Sequence, residues 1–116
     1  MWEVEFTDEF EKWWQTLDVK QQEDVLVSVE LLRNLGPHLA RPYADTVKGS
    51  KHKNMKELRT QSKGRPLRTF YAFDPRRYAV LLLGGDKKGN SRFYQQLINK
   101  ADQIYDRHLN DIKKKG

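Results

Sequence analysis

The sequence has 116 residues, no cysteine and a formal net charge of +6. This length suits one domain, residues 1–116, with a real core; the lack of cysteine excludes disulfides and thiolate metal sites, and no run approaches the roughly 18 apolar residues of a membrane span. Residues 1–36 carry a net charge of −6 and residues 37–116 a net charge of +12, which fits a polyanionic partner such as nucleic acid and equally a basic surface kept for solubility.

A short strand and a helix are predicted first. Residues 2–6 alternate apolar and acidic side chains, as a strand with one buried face does. The acidic start has the wrong charge for a signal peptide, so we expect a cytoplasmic protein. Thr7 is a good helix cap, and apolar residues then recur at helical spacing at Phe10, Trp13, Trp14 and Leu17. This spacing favours a core role for both tryptophans over base stacking.

A second helix is predicted after Asp18, which can cap it, and it ends at Gly36-Pro37. Its expected core face consists of Val25, Leu26, Val29, Leu32 and Leu35. Residues 37–54 show no period and contain two prolines and a glycine. We expect this segment to be a loop that crosses from the helices to a sheet.

Three strands are predicted next, at residues 55–61, 66–73 and 77–83, where aromatic and branched residues concentrate. The connections Ser62-Lys63-Gly64-Arg65 and Asp74-Pro75-Arg76-Arg77 consist of turn residues. Connections this short join antiparallel neighbours, so the three strands form a meander.

The chain is predicted to end in a basic loop and a helix. Residues 84–90 contain three glycines, which let backbone come close to a ligand. Asn90 or Ser91 would cap an amphipathic helix that runs through Ile112. The predicted order is strand, helix, helix, three-strand antiparallel meander, helix, which is an α+β domain.

Arg68 is the strongest candidate for a functional side chain. In an alternating strand it shares a face with Phe70 and Ala72, where an unpaired guanidinium is costly unless that face opens to a ligand. The alternative is a structural salt bridge to an acid such as Asp86. Lys87 and Lys88, after the third strand, are well placed to hold a phosphate as point charges.

The motifs KELR, GRPLRTFYAFD, AVLLLGGDKKG and SRFY, in this order, resemble the RelE/ParE superfamily of bacterial toxins, and within it the HigB-like, phage-related Gp49-like group. The similarity covers essentially the whole chain and is most specific over residues 55–94. It implies a RelE-like fold and a toxin of a type II toxin–antitoxin pair. RelE and HigB members enter the ribosomal A site and cleave mRNA, whereas ParE members share the fold and poison DNA gyrase.

The resemblance also implies roles for residues of this chain. Arg68 falls where RelE-type toxins carry a phosphate-stabilising arginine, Lys88 matches an active-site arginine, and Tyr94 matches the catalytic tyrosine, although it fits the apolar face of the last helix equally well. His52 is a candidate acid or base, because some HigB members use a histidine nearby and its ordinary pKa suits proton transfer near neutrality. Glu57 could act as a base or pair with Arg59, and neither reading is favoured.

The remaining expectations concern partners. We expect RNA and ribosome contacts from Lys48, Lys51, Lys53, Arg59, Lys63, Arg65, Lys87 and Arg92. Arg59 could instead be an exposed structural arginine. No nucleotide or metal motif is present, so we expect metal-free acid–base cleavage without a cofactor. The resemblance implies a helix-turn-helix antitoxin as partner in a hetero-oligomer. The alternatives are a topoisomerase inhibitor of the ParE type and a non-catalytic RNA-binding module.

Overall fold

A five-stranded sheet with helices on both faces forms the domain, and a computed structural model describes its residues 1–89 and 91–115. The elements are β1 (Val4–Phe6), α1 (Asp8–Gln15), α2 (Val19–Leu35), a 3₁₀ turn (Gly36–His38), β2 (Ala44–Thr46), β3 (Lys56–Ser62), β4 (Arg65–Phe73), β5 (Ala79–Asp86) and α3 (Ser91–Lys115). The strand order is β1-β5-β4-β3-β2, with β1 parallel to β5 and the other neighbours antiparallel. The predicted α+β architecture and its meander are confirmed. None of the described helices is long and apolar enough to cross a bilayer.

The predicted caps of the first two helices are present. The Thr7 hydroxyl accepts a hydrogen bond from the Phe10 backbone N–H at 3.1 Å. Asp18 forms a capping box with Gln21, in which each side chain accepts from the other's backbone N–H, at 2.9 and 3.1 Å. Asn90, one of the two predicted caps of α3, lies outside the described residues.

Two connections differ from the prediction. The segment 37–54 is not only a loop, because β2 pairs with β3 inside it; a three-residue strand is too short to show a period. The third meander strand begins at Ala79 rather than at residue 77. The Asp74 carboxylate accepts from the backbone N–H groups of Arg76 and Tyr78, at 2.9 and 3.2 Å, and so holds that part of the chain in a turn.

Gly84 and Gly85 belong to β5, and the expectation that they open a ligand loop is wrong. They are needed for packing instead. A Cβ on Gly84 would lie 2.1 Å from Cε3 of Trp13, and one on Gly85 would lie 2.4 Å from Cδ1 of Leu97. Helix α1 and helix α3 therefore pack closely on opposite faces of β5, because glycine has no side chain at these two positions.

The sheet buries one apolar core on each face. On the first, which we call the α3 face, the core includes Met55, Phe70, Val80, Ile98 and Tyr105. On the second, the α1/α2 face, it includes Phe10, Val25, Leu32, Leu58 and Tyr71, with Trp13 and Trp14 packed against it as predicted.

The core face of α2 is only partly as predicted. Val25 and Leu32 are buried, but Leu26 and Leu35 are exposed. The buried stripe is formed by residues 25, 28 and 32, and Leu26 lies about 100° around the helix from Val25. Ser28 takes the inward position because its hydroxyl accepts a hydrogen bond from Thr60 on β3, at 2.7 Å.

We expect Gly84→Ala to lower the free energy of unfolding by about 1–3 kcal/mol, because the new methyl group overlaps the Trp13 ring. Urea denaturation of both proteins measures the difference. In a Trp13→Ala background the same Gly84→Ala change should cost much less, since the ring is gone. An equal cost in both backgrounds would contradict the packing argument.

The pair between Glu9 and Arg107 links α1 to α3 and should make stability depend on acid pH. Two hydrogen bonds from the guanidinium, at 2.6 and 2.8 Å, lower the pKa of Glu9 from 4.5 to about 2. A depressed folded-state pKa gives stability that is full above the unfolded value of 4.5 and is lost as pH falls towards 2. Glu9→Gln should therefore destabilise the protein at pH 7 by roughly 1 kcal/mol but much less at pH 2.5. Thermal melts at both pH values test this; an equal effect at both would refute it.

Candidate functional site

A buried carboxylate lies at the centre of the charged residues on the α3 face. Strand β3 places Glu57 and Arg59 on this face, and β4 places Arg68 there beside Phe70. The residue Glu57 is only 3% exposed. An ionised carboxylate at such a position needs cationic partners.

Four side chains surround this carboxylate. Arg59 Nε donates a hydrogen bond to Glu57 Oε2 at 3.0 Å, while Arg68 Nε and Lys87 Nζ lie 3.4 Å and 4.0 Å from the same oxygen. The Tyr94 hydroxyl donates to Oε1. We call Glu57, Arg59, Arg68, Lys87 and Tyr94 the Glu57 cluster. Because three cations surround one carboxylate, the formal charge of the Glu57 cluster is positive.

Arg68 is the least satisfied member of the Glu57 cluster. Its side chain is 14% exposed, and burial lowers the pKa of its guanidinium, opposed by the nearby Glu57 charge. Nη1 donates to the Leu67 carbonyl at 3.1 Å, but the buried Nε forms no hydrogen bond with any residue that the structure describes. The Nε–H group lies within ion-pair distance of Glu57 but does not point at the carboxylate well enough to form a hydrogen bond. Leaving a buried N–H donor without an acceptor costs free energy, unless an anionic ligand accepts its hydrogen bond.

Arg68 does pair with an acid, as the structural alternative predicted, but that acid is Glu57 and not Asp86. The Asp86 carboxylate pairs with Arg65 Nε instead, and it accepts a hydrogen bond from the Lys88 backbone N–H at 2.8 Å. Arg65 and Asp86 therefore link the start of β4 to the end of β5 next to the cluster, and the ion-pair partner of Arg68 is Glu57.

Tyr94 packs on the apolar face of α3 and also contacts the Glu57 carboxylate. Its ring packs on Phe70 with centroids 5.6 Å apart, so it is part of the apolar face of α3. The Lys87 ammonium lies 4.7 Å from the ring centroid. Its hydroxyl contacts Glu57 within the cluster. Packing thus fixes where the hydroxyl lies.

Strand β2 contributes a further carboxylate that the sequence did not indicate. Asp45 Oδ2 lies 3.3 Å from Arg59 Nη2 and 2.9 Å from Arg41 Nε. The Thr46 backbone N–H, followed by Arg41 and Arg59, lowers the pKa of Asp45. Arg59 is therefore held from both sides, by Asp45 and by Glu57, and its orientation is fixed before any ligand arrives.

His52 lies far from the Glu57 cluster. Its Nε2 is 2.8 Å from Asp106 Oδ1 on α3, and twelve residues separate Asp106 from Tyr94, which is about 18 Å along a helix. The loop around His52 is anchored, because Asp102 accepts hydrogen bonds from the Ser50 hydroxyl at 2.5 Å and the Lys51 backbone at 3.0 Å. The structure does not bring this histidine to the other predicted catalytic residues.

The remaining predicted cations lie on the surface. Lys63 pairs with Asp18 and Lys51 with Asp106. Among the described residues, no ion-pair partner is found for the exposed side chains of Lys48, Lys53 and Lys88. Arg92 is exposed in the first turn of α3. These side chains extend the positive surface beyond the cluster.

Sequence reasoning underrated Glu57 and missed Asp45. For Glu57 a signal existed: it alternates with Arg59 on one strand and faces the same way as Arg68 on the next, so the three share a face. For Asp45 there was none, because its place depends on the pairing of β2 with β3.

The comparisons with known proteins agree with this architecture. The family described as "Phage derived protein Gp49-like (DUF891)" matches residues 12–106, which include the whole Glu57 cluster. The chain belongs to this Gp49-like family. The predicted family membership is confirmed.

Two relatives from Mycobacterium tuberculosis are similar along most of the Gp49-like chain. This chain is 44% identical over 99 residues to the putative toxin HigB2, and the match covers 84% of this chain and 49% of HigB2. It is 46% identical over 94 residues to the putative toxin HigB3, covering 80% and 81%. The chain thus spans about half the length of HigB2. A free-state structure of an arginine-to-alanine double mutant of the E. coli toxin RelE has a TM-score of 0.62 at 13% identity, covering 85% and 96% of the two chains, which shows the shared fold.

Removing the central carboxylate should destabilise the Gp49-like domain strongly. We expect Glu57→Ala to cost about 3–5 kcal/mol in urea denaturation, because Arg68 and Lys87 would then lose their carboxylate partner and Arg59 would keep only Asp45. Glu30→Ala, which removes the exposed partner of Arg33, should cost less than about 1 kcal/mol.

Sulfate tests whether repulsion among the cations causes the loss of stability in Glu57→Ala. Added at equal ionic strength in place of chloride, it should recover more stability in Glu57→Ala than in the wild type, since an anion can take the place of the carboxylate. Equal gains in the two proteins would show that cation repulsion is not the reason for the loss.

Proposed function

We propose that this Gp49-like chain is the toxin of a type II toxin–antitoxin pair and that it cleaves mRNA on the ribosome without a metal ion. The Glu57 cluster carries the proposal: a buried carboxylate, three cations and a phenol meet on one face of the sheet. The names of the relatives, both putative toxins, support it.

The cluster contains the groups that RNA cleavage needs. The 2′-oxygen of a nucleotide attacks the adjacent phosphorus, the bond from phosphorus to the 5′-oxygen breaks, and a cyclic phosphate and a 5′-hydroxyl result. Glu57 is the candidate base that takes the proton of the 2′-hydroxyl. Arg68 and Lys87 stabilise the charge on the phosphorane, since the largely buried Arg68 and the more exposed Lys87 both lie beside Glu57 before a ligand binds.

Protonation of the leaving 5′-oxygen is assigned to Tyr94 or Lys88. Tyr94 has the better-defined position, because its hydroxyl is within the cluster. Lys88 follows Lys87 directly, and its exposed side chain can reach a phosphate beside the cluster. Arg59 serves to orient Glu57.

Ribosome and antitoxin binding follow from the charge. The +12 of residues 37–116 favours RNA-rich surfaces, and we assign that contact to Lys48, Lys51, Lys53, Lys63, Arg65 and Arg92. His52 lies in this basic loop and contacts Asp106, which is about 18 Å along α3 from Tyr94, so we assign it to docking rather than to proton transfer. A cytoplasmic helix-turn-helix antitoxin would neutralise the toxin by covering the basic face.

We expect Arg68→Ala to abolish ribosome-dependent cleavage, with a loss on the order of 10²–10³ in rate, as for the removal of one oriented donor at a developing oxyanion. Arg68→Lys should recover part of the activity, since it restores the charge but not the bidentate fork. Primer extension on a defined mRNA held on translating ribosomes measures the new ends.

Arg33→Ala serves as the control, because this arginine is on α2, across the sheet from the Glu57 cluster, and pairs with Glu30; this variant should cut like the wild type. Tyr94→Phe in the same assay tells whether the hydroxyl takes part in the chemistry or only supports Glu57. A well-folded Arg68→Ala protein that cuts normally would refute the proposal. No cuts by the wild type, with translation undisturbed, would favour a ParE-like topoisomerase target instead.

A further inference from the structure

An open groove of about 600 Å³ lies on the α1/α2 face, on the other side of the sheet from the Glu57 cluster. Val4, Phe10 and Leu81 form its floor, and Trp14 and Leu26 line its walls. Its lining thus comes from the edge strand β1, from β5, and from one stripe of each helix. These apolar surfaces face one another across the groove and do not pack together.

The side chains at this groove are more exposed than a folded core requires. Phe6 is 59% exposed and Leu26 is 51% exposed, and both line the groove. Single exposed apolar residues are ordinary, but a contiguous apolar groove marks an interaction site. Leu26 stays on the surface although the sequence pattern predicts it to be part of the core, so it is available to a partner.

The rim of the groove is acidic. Glu3 and Glu11 lie on it, and Arg33, the cation among its lining residues, forms an ion pair with Glu30 at 3.2 Å. The whole segment 1–36, which supplies nearly all of this surface, has a net charge of −6. The groove therefore attracts cations although the protein as a whole is positive.

The dimensions of the groove suit a helix. Its α2 side is lined by Gln22, Leu26, Val29 and Arg33. These residues span eleven positions, about 16 Å, which is three helical turns. Helices bind such grooves through apolar anchors at i, i+3, i+4 and i+7, while charged residues flank the anchors.

We propose that this groove binds an amphipathic partner helix whose apolar stripe is flanked by lysine and arginine. The apolar anchors fill the space between Phe10, Trp14 and Leu26, and the flanking cations face Glu3 and Glu11. Because the Glu57 cluster lies on the other face of the sheet, a bound helix leaves that cluster open. This inference does not depend on the RNA-cleavage proposal.

Two synthetic helical peptides of 18 residues, labelled with a fluorophore, provide the test by anisotropy. Both carry leucine at i, i+3, i+4 and i+7; one has lysine at the flanking positions and the other glutamate. We expect the lysine peptide to bind more tightly, although the net charge of +6 on the protein opposes it. Tighter binding of the glutamate peptide would overturn the proposal, because overall charge would then decide the affinity.

Variants on one helix locate the binding site. Leu26→Glu should weaken binding of the lysine peptide about tenfold or more. Val27→Glu is the matched control: it is 63% exposed, immediately follows Leu26 and lies outside the groove lining, so it should bind like the wild type. Equal effects of the two changes would overturn the proposal.

Three further measurements complete the design. Glu11→Lys, at the rim, should weaken the lysine peptide mainly at low salt, which keeps the test open if Leu26→Glu folds poorly. Arg68→Ala should bind the peptide normally, since Arg68 lies on the other face of the sheet; a loss of peptide binding in this variant would overturn the assignment.

Sedimentation tests whether a second copy of the chain occupies the groove. Wild-type dimers that Leu26→Glu dissociates would assign the groove to a second copy and would contradict the proposal.

Discussion

The burial of Glu57 determines much of the organisation of the α3 face. A carboxylate that is 3% exposed on an apolar face is stable only with cations close by, and three neighbouring segments supply them, as Arg59, Arg68 and Lys87. Arg68, which is largely buried, would in turn be unfavourable without the carboxylate. Glu57 on β3 and Arg68 on β4 thus depend on each other, and the Tyr94 hydroxyl contacts Glu57 from α3.

Strand β5 makes this arrangement possible because it serves both faces. Gly84 admits Trp13 from α1 on one side, and Gly85 admits Leu97 from α3 on the other. Close approach of α3 positions Tyr94 over the sheet, and close approach of α1 forms one wall of the acidic groove. The basic cluster and the acidic groove therefore both depend on how closely the helices pack on the sheet at these two glycines. The sheet separates the two surfaces.

The fold could be predicted largely from local signals, and the site only in part. Thr7 and Asp18 cap their helices as expected, because capping depends on neighbours a few residues away. Arg68 could be recognised because alternation alone puts it on an apolar face. The short strand β2, the inward position of Ser28 and the contact of Asp45 with Arg59 could not be recognised, since each depends on a tertiary partner. The distance of His52 from Tyr94 likewise follows from how a loop docks on α3, which no sequence spacing reveals.

The electrostatic balance of the cluster explains how the site can be stable without a ligand and still suit the phosphate that we propose it binds. Glu57 and Asp45 together offset two of the three positive charges of Arg59, Arg68 and Lys87, so the site keeps a positive charge. It also holds the donors in place: Arg59 is fixed between Glu57 and Asp45, and Arg68 is held by burial with its Nε free of hydrogen bonds to the described residues. An approaching phosphate therefore meets oriented cations, and little reorganisation is needed when charge develops on its oxygens. In the reaction that we propose, the carboxylate that stabilises the free protein is also the base, so stability and chemistry would depend on one residue.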